Sequence, residues 1–170
     1  MTVTTVMTAN NKHKKQFLPF IIALVAVCAD QYTKTLARTE LSGGSVPVVE
    51  GVFHLTYVEN TGAAFGIFQN SNGFFIVLVS AILLGIIVSL YLLKPQSLLL
   101  KISAGLVMGG AAGNLIDRVF RGFVVDFLDF RIIRYPVFNL ADMLVVTGAA
   151  LICVHLIFFE RKEESESADI

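Results

Sequence analysis

The chain is 170 residues long, 55% hydrophobic and only 15% charged, with a mean hydropathy of +0.75, whereas a soluble domain carries about 25% charged residues. Thirteen Lys and Arg balance thirteen Asp and Glu, so there is no basic surplus of the kind that binds nucleic acid. The length suits one domain, and residues 1–170 are expected to form a single integral membrane domain, all-α in the bilayer with a small β platform at its surface.

Four apolar runs are long enough to cross a hydrocarbon core of roughly 30 Å, which takes about 20 helical residues. They lie near 17–37, 73–93, 98–117 and 137–159. Four crossings put both termini on one side, and the positive-inside rule makes that side cytoplasmic. Lys12, Lys14, Lys15, Lys94, Lys101, Arg161 and Lys162 then face the cytoplasm; Lys34, Arg38, Arg118, Arg121, Arg131 and Arg134 face away. The count is nearly even, and the lysine cluster before the first span and the lysine-flanked turn at Pro95 decide it. The first run is read as a retained anchor, not a cleaved signal peptide, because no soluble domain follows it. Leu24 to Cys28 spells LVAVC, but Val27 stands where a lipobox wants a small residue.

In the first span, Asp30 and Lys34 are one turn apart, which fits an intrahelical ion pair or a site role. Cys28 and Cys153 fall within spans, where they act as small apolar residues. Between the first two spans, residues 41–70 change texture. Phe53, Leu55 and Tyr57 alternate with His54, Thr56 and Val58, the period of a strand, and Gly43, Gly44, Pro47, Gly62 and Gly66 punctuate it. A half-apolar sheet at the membrane surface can hold an extended peptide by its backbone; a plain connector is the alternative. Asn60 can donate to a substrate carbonyl or hold a turn.

The third span carries Gly105, Gly109 and Gly113 at four-residue intervals, a spacing that lets two helix backbones approach closely. Asn114 and Arg118 continue that helix on a shared face. Arg118 can pair with Asp117, reach a loop carboxylate or snorkel to head groups.

Asp126 and Asp142 are sixteen residues apart in very apolar sequence, Asp126 in the stretch read as a connecting loop and Asp142 in the first turns of the fourth helix. Asn139 lies three residues before Asp142 and is expected on the same helical face. A loop of about 20 residues can fold back and bring the two carboxylates together. Two neighbouring carboxylates in a poorly solvated site share a proton and titrate as a unit, which supplies acid and base in one place. One can deprotonate a water while its protonated partner polarises an amide carbonyl. Against this stands a structural alternative, in which Asp126 pairs with Arg121 or Arg131, Asp142 lines the helix start, and Asp129 takes the loop role.

No HExxH or Cys/His cluster suggests zinc, His13, His54 and His155 are scattered, and no GxSxG elbow occurs. A proton-coupled transporter would also use buried carboxylates, and a scaffold subunit with no chemistry is a third class. The absence of an inverted repeat fits a transporter poorly.

Several ordered motifs together resemble the lipoprotein signal peptidases, or signal peptidase II: a DQxxK-like element at Asp30–Lys34, ENTGAAFG at Glu59–Gly66, GGAAGNLIDR at Gly109–Arg118, GFVVDFLDF at Gly122–Phe130 and FNLAD at Phe138–Asp142. The resemblance implies an aspartic endopeptidase of the bacterial inner membrane that needs no metal or organic cofactor. It would cut diacylglyceryl-modified prolipoproteins before the lipidated cysteine. Asp126 and Asp142 would be the catalytic dyad; Asn60, Asn114, Arg118 and Asn139 would hold substrate or orient the dyad, and Asp30 would support it. The expected partners are prolipoprotein substrates and membrane lipid, with no nucleic acid, and the expected state is a monomer.

Overall fold

The computed structural model describes residues 16–41, 43–62, 67–133 and 135–160. The expectations placed on Lys12, His13, Lys14, Lys15, Gly66, Arg134, Arg161 and Lys162 lie outside them. Four helices are long and apolar enough to cross a membrane. They are α1 (Leu18–Glu40), α2 (Asn72–Leu93), α3 (Leu98–Phe120) and α4 (Leu140–His155), the last continued by a π-helical turn, Leu156–Glu160.

Each helix shows on its surface what it packs against. In α1, Ala26, Asp30, Lys34 and Ala37 are buried, a single stripe at helical spacing. Its partner stripe on α3 runs Gly105, Gly109, Gly113 and Asp117. The glycines are needed for contact: a Cβ on Gly105 would stand 2.7 Å from Ile22 Cβ and 2.8 Å from Pro19 O, and one on Gly109 would stand 2.9 Å from Ala23 O. On the far side of α3, Gly148 of α4 packs equally closely, with its missing Cβ 2.8 Å from Ser103 O. Helix α3 is therefore the centre of the bundle. Helix α2 buries none of its residues and packs mainly on α3.

Beyond the helix ends lies an antiparallel sheet of order β1-β2-β3, formed by Val46–Val49, Phe53–Asn60 and Val124–Phe130. The first two strands fall within the platform expected from the sequence. The third does not, because the connection after α3 that reads as a loop contains β3. Gly122, at φ +83°, turns the chain from α3 into β3, a conformation that costs glycine little. Phe138 then adds a bridge to Leu128 on the strand's other edge. Alternation along β3 points Val125 and Phe127 into a core with Ala37 and Leu41 at the end of α1, leaving Val124 and Asp126 to face the bundle.

Candidate active site

Asp126 and Asp142 line one cavity of about 440 Å³. Its walls are apolar side chains of three helices, including Phe75, Val79 and Ile82 of α2, Val107 and Ala111 of α3, and Val145 and Val146 of α4. The two carboxylates, with Asn60, Asn114 and Arg118, form its polar head.

Asp126 stands on β3 opposite Val58 of β2. Asn60, two residues along β2, is its diagonal neighbour on the same face and donates from Nδ2 to Asp126 Oδ2 at 2.9 Å. The other oxygen, Oδ1, accepts from Asn139 Nδ2 at 2.6 Å. Asp142 is the third residue of α4, where a carboxylate closes a capping box with the N-cap. Its backbone N–H donates to Asn139 Oδ1 at 2.9 Å, and its Oδ2 accepts the Asn139 N–H at 3.2 Å. Asn139 itself has extended backbone. It is the cap, not a member of the helical face as its spacing suggests, and that frees its amide to reach Asp126. One residue thereby ties both aspartates.

Asn114 completes the ring. Its Nδ2 donates to Asp142 Oδ1 at 2.8 Å, and its Oδ1 accepts from Asn139 Nδ2 at 3.2 Å. Arg118 bonds elsewhere: its Nη2 donates to Gly62 O at 2.9 Å and its guanidinium lies 4.8 Å from the centre of the Phe75 ring. It holds the segment after β2 against α2 and α3 while its charge acts on both aspartates.

The competing pairings expected from sequence go to other acids. Arg121 bonds Asp117, and Arg131 bonds Asp129 at 2.9 Å. Burial alone would raise the Asp129 carboxyl, but hydrogen bonds from Arg131 and Thr56 outweigh it and hold the group below the usual range. Asp126 is the opposite case. It is 2% exposed, and burial pushes it from 3.8 to about 7, with the charge of Asp142 adding to the rise and the hydrogen bonds from Asn60 and Asn139 opposing it. Desolvation favours the protonated acid, and a neighbouring carboxylate does the same. Among the described residues no group of three or more His, Cys, Asp or Glu is placed to hold a metal.

Asp30 is fully buried behind this ring and pairs with Lys34 at 2.9 Å. The intrahelical pair read from sequence is therefore real, yet it is part of a larger cluster. The sequence marks Lys34 only as the partner of Asp30 and gives no site role to Gln31 or Asp117. The available signal was the coincidence of phase, since Asp30 and Lys34 fall on the small-residue stripe of α1 and Asp117 on that of α3.

A family model described as Signal peptidase (SPase) II matches residues 22–158. The chain is 45% identical over 150 residues to the lipoprotein signal peptidase of Symbiobacterium thermophilum, covering 85% of this chain and 97% of that protein. It is 43% identical to the lipoprotein signal peptidase of Clostridioides difficile, covering 85% and 98%. A solved bacterial membrane enzyme superposes with a TM-score of 0.77 at 34% identity, over 82% of this chain and 87% of the other. With that agreement in sequence and fold, and with four bilayer-length helices, the chain belongs to the signal peptidase II family and is a multi-pass membrane peptidase.

Proposed function

We propose that the chain is an aspartic endopeptidase that removes signal peptides from diacylglyceryl-modified prolipoproteins, cutting before the lipidated cysteine, with Asp126 and Asp142 as its catalytic pair. The observation that carries this reading is the junction at Asn139: two carboxylates, one on a strand and one on a helix, are hydrogen-bonded to the same residue at the head of an apolar cavity. A lipid-anchored substrate cannot leave the bilayer. Its scissile bond has to be met at membrane depth, beside a cavity that takes apolar chains.

The chemistry follows from the charge state. Burial lifts Asp126 to about 7, so a proton is available to the pair near neutral pH. The ionised carboxylate takes a proton from a water, whose oxygen attacks the scissile carbonyl carbon. The protonated partner gives its proton to the carbonyl oxygen, forming a tetrahedral diol. Collapse of the diol breaks the C–N bond: the carboxyl that received the water's proton passes it to the leaving amine, and a diol hydroxyl returns its proton to the other carboxylate, which regenerates the starting pair. The product is a peptide with N-terminal cysteine and a released signal peptide. Asn60 and Arg118 sit where they can hold the substrate backbone, and Asn114 and Asn139 orient the pair.

The reading places the active site near the extracytoplasmic face of the bacterial inner membrane and both termini in the cytoplasm. Lys94 and Lys101, at the bundle end away from the sheet, support that orientation. Purified protein incubated with a diacylglyceryl-modified lipobox peptide should release the N-terminal cysteine product. Asp126→Asn and Asp142→Asn should each cut the rate by about 10³-fold or more while remaining folded in the membrane. Ordinary cleavage by either variant would refute the dyad; ion or solute flux without cleavage would point to a transporter.

A further inference from the structure

Behind the dyad lies a buried ionic cluster whose parts all lead back to the two aspartates. Lys34 is 0% exposed, as are Asp30 and Asp117. Its ammonium reaches Asp30 Oδ2 at 2.9 Å, Asp117 Oδ2 at 2.9 Å and Asn114 Oδ1 at 2.8 Å, so its three N–H donors are all used. The acids continue outward. Asp30 Oδ1 accepts the Ala141 N–H at 3.0 Å, one residue before Asp142. Asp117 Oδ2 accepts the Val125 N–H at 3.1 Å, one residue before Asp126. Gln31 bridges the two acids at 3.2 and 3.1 Å, and Arg121 caps Asp117 on its outer side.

From this geometry we infer that Lys34 is the positioning residue of the dyad: it fixes the amide of Asn114 and, through Asp30 and Asp117, the backbone beside each aspartate. The Asn114 step follows from donor inventory alone. Lys34 has no acceptor, so it can face only the oxygen of the Asn114 amide, and the NH₂ must then face Asp142. Without the ammonium, that orientation is left to the longer bond from Asn139 Nδ2 at 3.2 Å, which holds it less firmly. Replacing a buried ion pair by well-packed apolar residues of similar volume is often neutral or stabilising, so the pair is weak evidence for a purely stabilising role. Its presence here is accounted for by what it aligns.

The proposal rests on the peptidase reading, and the test separates the two. Wild-type enzyme is first assayed on the diacylglyceryl-modified peptide; failure to cleave would end the peptidase reading itself. Lys34→Met is then compared by kcat, KM, pH profile and thermal unfolding. The charged and titratable groups around the dyad are Arg118 and Asp117 from α3, Arg121 just past its end, Asp30 and Lys34 from α1, and Tyr135 at the cavity wall. Removing the cation should lower kcat by about 10²-fold, as for loss of a positioned catalytic partner, with KM changed less than about twofold. It should also move the acid limb of kcat/KM to higher pH. Asp117→Asn and Asp30→Asn, nearly isosteric, should move the same limb to lower pH, because each removes a negative charge.

A residue that only held the helices together would give no shifts of opposite sign. If folded Lys34→Met keeps wild-type kcat and pH limbs, the assignment is wrong. Should Lys34→Met fail to fold, the two Asp→Asn variants decide, and an unmoved acid limb in both overturns it.

Discussion

Burial and hydrogen bonding pull Asp126 in opposite directions, and the balance has a consequence for stability. Its two oxygens accept from Asn60 and Asn139, which favours the anion, yet desolvation dominates and lifts the carboxyl from 3.8 to about 7. A carboxyl raised in the folded state contributes stability that is complete below the unfolded value near 4 and is lost as pH rises through the folded one. Wild-type thermal stability in detergent should therefore fall between about pH 4 and pH 7 and level off above that. At about 1.4 kcal/mol per pH unit, this one group accounts for at most roughly 4 kcal/mol. Asp126→Asn removes the titration, so its unfolding temperature should vary less with pH and gain on wild type as pH rises. Parallel curves for the two proteins would show that the buried acid is already ionised at pH 5. Asp129, three residues along the same strand but ion-paired at the surface, should leave this slope unchanged when replaced by Asn.

Among the elements, the α1–α3 seam bears most directly on the site, because the paired stripes that bring the backbones together also carry Asp30, Lys34 and Asp117. Gly109→Val would drive a side chain against Ala23 O and Ala26 and force the helices apart. Overpacking of this kind costs about 1–3 kcal/mol or more, and separating the stripes would also open the Lys34 contacts. The variant should lose both thermal stability and cleavage. Gly85→Ala on α2, where an added Cβ meets nothing within 4 Å, should be neutral or slightly stabilising, since alanine is the better helix former. Equal losses in both variants would mean that the stripe is not the packing seam.

The small-residue stripe was legible in the sequence because its period is local and regular. Strand β3 was not: VVDFLDF is buried over its first four positions, and a strand covered on both faces has no apolar–polar alternation to read. The role of Asn139 was hidden for a related reason. Three-residue spacing says that two groups share a helical face only if both are helical, and Asn139 is the residue at which the helix begins.

At the scale of the whole molecule, the bundle is lopsided. Helices α1, α3 and α4 pack closely around the ionic cluster, whereas α2 leans on α3 alone among its principal contacts. The cavity under the aspartates lies between α2 and α4, with Val79 and Ile82 on one side and Val145 and Val146 on the other. Ile82 and Val146 are 48% and 66% exposed, so the cavity opens sideways, toward lipid, along the seam where α2 and α4 fail to close. A signal peptide that is itself an apolar helix would enter by this seam without passing through water. The expectation is testable in a protein whose exposed cysteines, Cys28 and Cys153, are first replaced by alanine. Ile82→Cys and Val146→Cys, joined by a short bifunctional maleimide, should block cleavage of the lipid-modified peptide, while either single cysteine capped with a small maleimide should retain most of it. Cleavage by the cross-linked enzyme at the rate of the uncross-linked one would place the entrance elsewhere, on the sheet side of the cavity.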